Sequence, residues 1–82
     1  MKICFVGGGN IAQAIIDGLL KSNLPPEEIV CIERNQEKID LLKSQKITVA
    51  SFECLSDNIF DLIVLAVKPK DALVVAQKIE DL

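Results

Sequence analysis

The sequence predicts an α/β fold, a parallel sheet with helices on both faces. Three observations carry that expectation. Four apolar runs, at residues 2–6, 29–33, 47–50 and 62–67, alternate with helix-patterned segments, the order of a βαβ series. Ile, Leu, Val and Ala dominate a chain that is 50% hydrophobic and poor in aromatics, as a sheet covered on both faces requires. The first run leads directly into Gly7-Gly8-Gly9 and then into a helical pattern. Strand, glycine turn and helix follow each other as a dinucleotide-binding fingerprint needs.

The stretch from Val6 to Ala12 organises the rest. Gly7 suits the tight turn that ends the strand. Gly9 has no side chain, so a pyrophosphate can approach the backbone closely. Ala12, in the place of the third glycine, is small enough for helix and strand to pack together. The free N–H groups of the first helical turn, at the positive end of the helix dipole, then face the phosphates. Glu33 ends the second strand, 21 positions after Ala12, near the spacing of about 20 for a ribose-binding acid. With right-handed crossovers the strand order is 3-2-1-4, a truncated Rossmann-type sheet. The crevice for a cofactor then lies at the carboxyl ends of strands one and four, where the order reverses.

The elements follow in order. Residues 2–6 form the first strand, apolar nearly throughout and hence central. Residues 10–22 form the first helix, capped by Asn10, with Ile11, Ile15 and Leu19 on its inner face at spacings of four. Asn23 to Pro26 stop it, since proline cannot continue a helix. Ile29 to Glu33 form the second strand. Asn35 caps a helix from Gln36 to about Ser44, with Ile39 and Leu42 inward. Ile47 to Ala50 form a short third strand, and Ser51 to Asn58 a loop with one helical turn. Leu62 to Val67 form the fourth strand, apolar throughout and expected to be buried on both faces. It carries no charge or proline to guard an edge, so it should recruit a further strand. Pro69 opens the last helix, with Asp71 near its positive end and Val75 and Ile79 inward.

Composition narrows the function. Eighty-two residues allow one small domain, burying only about 60% of its unfolded surface. A net charge of −3 argues against a general nucleic-acid or membrane-surface binder. Cys4, Cys31 and Cys54 are odd in number and there is no histidine. Disulfide or metal use is therefore not expected, and a reducing cytoplasm is the simple reading. Cys4 and Cys31 fall in core strands as small hydrophobes, while Cys54 reads as an ordinary loop thiol. No signal peptide is visible, and no apolar run reaches the ~20 residues of a membrane span.

Two motifs together resemble the pyrroline-5-carboxylate reductase family. One is Gly7-Gly8-Gly9-Asn10-Ile11-Ala12 with the run Ala14 to Leu20 behind it; the other is Leu65-Ala66-Val67-Lys68-Pro69 after the fourth strand. The family usually has G-x-G-N-M-A, then an aliphatic run ending in G-L, and later A-V-K-P. The distance between the motifs also fits, and the likeness covers the whole chain. It implies reduction of 1-pyrroline-5-carboxylate to L-proline in proline biosynthesis with NADPH, or alternatively NADH. It implies further that residues 1–82 are the N-terminal NAD(P)-binding domain of a longer cytoplasmic enzyme, a homo-oligomer. A C-terminal dimerisation domain, absent here, would hold the small-molecule substrate.

By the same resemblance the cofactor site comprises Val6, Gly7, Gly8, Gly9, Asn10 and Ile11, with Glu33 and Arg34, and Ala66, Val67, Lys68 and Pro69. Gly8, Asn10 and Ile11 would touch pyrophosphate and ribose. Val67 and Lys68 would lie along the nicotinamide half. Arg34 sits where the family binds the adenosine ribose or its 2′-phosphate. Glu33 would accept from the ribose 2′-hydroxyl and favour NADH, whereas Arg34 offers a fork for a phosphate. A lysine at a helix start gains nothing from the dipole, which favours cofactor contact for Lys68. Ile11 replaces the usual methionine, and Ser51 to Asn58 does not align clearly with the family. No catalytic acid, base or nucleophile constellation is visible, consistent with hydride transfer. Two other readings stand beside this one: a β-hydroxyacid dehydrogenase-like oxidoreductase, and a non-catalytic NAD(P)-binding regulatory module.

Overall fold

The computed structural model describes residues 1–67 and 69–81. In chain order the elements are β1 (Ile3–Val6), α1 (Asn10–Lys21), a 3-10 turn (Pro26–Glu28), β2 (Ile29–Ile32), α2 (Gln36–Ser44), β3 (Thr48–Ala50), α3 (Cys54–Asp57), β4 (Leu62–Leu65) and α4 (Pro69–Glu80). The strands form one sheet in the order β3-β2-β1-β4, all neighbours parallel. This is the expected 3-2-1-4 arrangement.

β1 and β2 are buried along their whole length. Successive side chains of a strand point to opposite faces, so the core splits in two. Ile3, Phe5, Ile29 and Cys31 join Ala12, Ile16, Leu42 and Ile47 under α1 and α2. Cys4, Val6, Val30 and Ile32 form the other cluster, covered by Phe52, Leu55, Phe60, Val75 and Ile79. Helices thus cover both faces, with Val75 and Ile79 turned inward as the sequence indicates.

Three expectations require correction. Ala12 and Ile16, not Ile11 and Ile15, carry the buried face of α1, with Leu19 and Leu20 packed beside them. Ile11 is 74% exposed. Spacings of four fit either register equally, and the close approach of Ala12 to the sheet selects this one. The N-cap of α1 is Gly9, with no side-chain cap, and Asn10 is already helical. Finally, β4 ends at Leu65 and is not buried on both faces: Leu62, Ile63 and Leu65 are 46%, 41% and 44% exposed. Among the described residues it pairs with β1 alone, and the helix layers centre over β1 and β2.

The helix ends explain the chain reversals. α1 stops because Asn23 takes a left-handed φ of 70°. The N–H of Leu24 then donates to Leu19 O and that of Asn23 to Leu20 O, both at 3.1 Å. This is a Schellman closure, reached before the prolines. α2 ends the same way: Lys46 has φ 66°, and Ile47 N–H donates to Leu42 O at 3.0 Å. Leu42 and Ile47 both sit in the core, the apolar contact that accompanies the motif. At its other end α2 is capped as expected, with the Asn35 side chain accepting from Lys38 N–H at 3.1 Å.

Candidate cofactor site

The carboxyl ends of the four strands open into a groove of about 650 Å³. Its floor is the glycine loop. Gly7 has φ +99°, and a Cβ there would stand 2.6 Å from the Ala66 carbonyl oxygen. Its N–H donates to Ile32 O at 2.9 Å, while Ala66 N–H donates to Val6 O at 2.9 Å. The loop is therefore tied to the ends of both strands flanking β1. Only glycine meets the positive φ without strain and leaves room for the Ala66 carbonyl.

Gly9 differs from its neighbours. A Cβ on it would meet nothing within 4 Å, so the space beside it belongs to the groove. α1 begins here with no side-chain cap and no acidic residue in its first turn. Its leading N–H groups precede the first intrahelical bond, from Gln13 N–H to Gly9 O at 2.9 Å. Such a helix start favours an anion through both its donors and its dipole. An open glycine beside an uncapped helix N-terminus is a fit for a pyrophosphate.

Most of the residues named from sequence come together here. Val6, Gly7, Gly8, Gly9, Glu33, Arg34, Ala66 and Val67 line the groove. Asn10 and Ile11 line an adjoining hollow that shares Gly9, Lys38, Ala66 and Val67 with it. Pro69 supplies the first residue of α4. Lys68 lies outside the described residues.

Glu33 is at the expected place with its oxygens already engaged. Oε1 accepts from Gly8 N–H at 2.6 Å. Oε2 accepts from the N–H groups of Arg34 and Asn35, each at 2.9 Å. Burial opposes ionisation of this carboxyl. The donors at Asn35, Gly8 and Arg34, together with the charge of Lys38, outweigh it and hold the group below its ordinary value. Beside it, burial and then the Glu33 charge push the Cys31 thiol up to about 12. Burial, with smaller contributions from Cys54 and Cys31, does the same to Cys4. Cys4 and Cys31 therefore remain thiols, unsuited to nucleophilic work.

The groove also holds residues that the sequence reading missed, among them Lys38, Phe52, Asp71 and Lys78. Lys38 carried a usable signal: it sits in the first turn of α2, where its charge gains nothing from the helix, as argued for Lys68. Lys78 carried none. Its Nζ stands 5.4 Å from the Phe52 ring centroid, a cation–π distance set by how α4 crosses the sheet.

Known proteins resemble this chain along nearly its whole length. A family model described as "NADP oxidoreductase coenzyme F420-dependent" matches residues 2–82. The chain is 40% identical over 68 residues to a pyrroline-5-carboxylate reductase of Haemophilus influenzae, covering 83% of this chain and 25% of that protein. To the same-named protein of Aquifex aeolicus it is 39% identical over 82 residues, covering 99% of this chain and 30% of that one. The solved structure of a pyrroline-5-carboxylate reductase from Coxiella burnetii superposes with a TM-score of 0.87 at 31% identity, covering 98% of this chain and 30% of that one. The chain thus spans between a quarter and a third of the length of these relatives.

Proposed function

The chain belongs to the family described as NADP oxidoreductase, coenzyme F420-dependent, and from that premise we propose that it is the cofactor-binding part of a pyrroline-5-carboxylate reductase. In this reading residues 1–82 form the N-terminal NAD(P)H-binding domain, and the whole protein reduces 1-pyrroline-5-carboxylate to L-proline. The whole enzyme is a cytoplasmic homo-oligomer that takes its substrate between this domain and a further one. Among the described residues, no helix is long and apolar enough to cross a membrane.

The observation that carries the proposal is the pairing of an open Gly9 with an uncapped α1 N-terminus. The pyrophosphate would rest there. Ala66 and Val67, which line both the groove and the hollow beside Asn10 and Ile11, would flank the nicotinamide half. Arg34 and Lys38 stand at the β2 end, where the adenosine ribose would lie, and favour NADPH through its 2′-phosphate. When bound, the cofactor supplies the hydride. The chain's own residues bind and orient it, and none of them is assigned as acid or base.

Two measurements test this. NADPH should bind the chain, read by a change in the fluorescence of the reduced nicotinamide. The protein that carries this domain should consume NADPH only when pyrroline-5-carboxylate is supplied. Failure of both nucleotides to bind removes the site. Turnover of a β-hydroxyacid instead of the imine replaces the proposed substrate.

A further inference from the structure

We infer that Glu33 is a positioning residue, which locks the glycine loop to the turn after β2, and that it does not read the cofactor's ribose. The inference rests on the groove being a dinucleotide site and says how that site is held in shape.

A carboxylate offers about four acceptor positions. Three backbone N–H groups occupy Glu33 from two separate segments: Gly8 on one side, Arg34 and Asn35 on the other. One acceptor position stays free, but turning the carboxylate away to give a ribose both of its oxygens would release the Gly8 contact that joins the two segments. Arg34 and Asn35 are exposed and their N–H groups can turn to water, but Gly8 is buried, and its N–H left without a partner costs more than one hydroxyl contact returns. The arrangement that serves the loop therefore outcompetes the one that serves the sugar.

Gly8 supplies the second observation. A Cβ on Gly8 would stand 2.9 Å from Glu33 Oε1, and 3.4 Å from both Cys31 Sγ and Leu42 Cδ1. The space that a side chain would fill is occupied from within the protein. Gly8 is thus glycine so that Glu33 and α2 can close against it, whereas Gly9 faces open space. The loop's two later glycines divide the work between fold and ligand. Pre-organising a binding loop in this way raises affinity for every ligand that uses the loop, so it carries no preference between the two cofactors.

The experiment compares Glu33→Gln and Glu33→Asp with the unsubstituted protein, by NADH and NADPH affinity and by backbone amide NMR without nucleotide. Gln keeps the size and loses the charge. Asp keeps the charge but is one methylene shorter and cannot span from Gly8 to Asn35. A positioning role predicts that both variants weaken NADH and NADPH alike, by about tenfold, the scale of one lost charge-assisted hydrogen bond. It also predicts that the Gly8, Arg34 and Asn35 amide resonances move together in each variant. Selective loss of NADH with tighter NADPH in Glu33→Gln, and retention of NADH by Glu33→Asp, would overturn the inference in favour of ribose reading. An unmoved Gly8 amide would overturn it as well. If the unsubstituted protein binds neither nucleotide, the site reading falls and the inference with it, a result distinct from unequal effects on two cofactors that do bind.

Discussion

Gly7 and Ala66 approach so closely that the smallest side chain on the glycine would meet the alanine's carbonyl oxygen at 2.6 Å. The contact joins the end of β1 to the end of β4 and shapes the floor of the groove. The loop's first glycine therefore answers to the fold.

Gly7→Ala and Gly9→Val should separate those demands. Gly7→Ala forces a Cβ onto a backbone oxygen at a positive φ and should destabilise the protein by about 2 kcal/mol or more. Gly9→Val places its Cβ in open space and should cost only the N-cap preference of Gly over Val, about 1 kcal/mol, while removing nucleotide binding. Thermal unfolding followed by circular dichroism, beside NADPH titration, gives both readings. A folded Gly9→Val protein that binds NADPH normally would exclude this loop as the phosphate site.

Arg34→Ala should weaken NADPH by roughly tenfold or more, the value of one charge-assisted contact, and leave NADH nearly unaffected. The difference should shrink with added salt, because Arg34 is exposed and its charge is screened. Parallel calorimetric titrations at two ionic strengths measure it. Equal losses for both cofactors would mean that the guanidinium only stacks on the adenine.

Lys46→Gly should stabilise the protein. Lys46 holds φ 66° at the end of α2, a conformation that costs an L-residue about 1–2 kcal/mol and glycine almost nothing. Part of that gain returns as unfolded-chain entropy, leaving about 0.5–1 kcal/mol, or roughly 2–8 °C in melting temperature. A lower melting temperature would show that the Lys46 side chain contributes more than its backbone costs.

Lowering the pH should loosen the glycine loop before the core. The Glu33 carboxyl is held below its ordinary value. Its stabilising contribution is therefore complete above the unfolded-state value, near 4.3, and is lost as pH falls through the lower folded-state value. Protection of the Gly8 amide against exchange, relative to an unstructured chain at the same pH, should fall across that acid window in the unsubstituted protein and show no such step in Glu33→Gln. Loss of that protection already at neutral pH would contradict the assignment.

The exposed edge of β4 should drive self-association of the 82-residue chain. Leu62, Ile63 and Leu65 are all partly exposed, and the strand carries no charge or proline, so its outer N–H and C=O groups invite another strand. Sedimentation at high micromolar concentration should find assemblies that Ile63→Lys dissolves with the helical signal intact. A monomer with freely exchanging Ile63 and Leu65 amides would mean that the edge is tolerated.

The strand order was legible because it follows from connection handedness and the glycine turn, and the cap at Asn35 because it depends on one side chain and its own helix. The facing of α1 was not, since residues 11, 15 and 19 and residues 12, 16 and 20 repeat at the same spacing and only the distance to the sheet distinguishes them. The burial expected of β4 failed for a related reason. An apolar run reports what a strand is able to bury, and the cover depends on what lies over it. At the site, the glycine positions and both ends of the groove were readable. The engagement of Glu33 was hidden because its partners are backbone amides, which every residue but proline possesses. Lys78 reaches the groove through Phe52, a pairing between distant elements that leaves no local pattern.

β1 lies between β2 and β4, with Ile3 opposite Ile29 on one side and Leu62 on the other. During synthesis this central strand leaves the ribosome before either partner, and β2, α2, β3 and α3 all follow before β4 exists. The β1–β4 pairing joins residues 59 positions apart, Ile3 and Leu62, and such closures slow folding. Until then one side of a strand that ends buried along its whole length is open to unrelated strands, so the yield of folded protein should depend on translation speed and chaperone supply as well as on final stability.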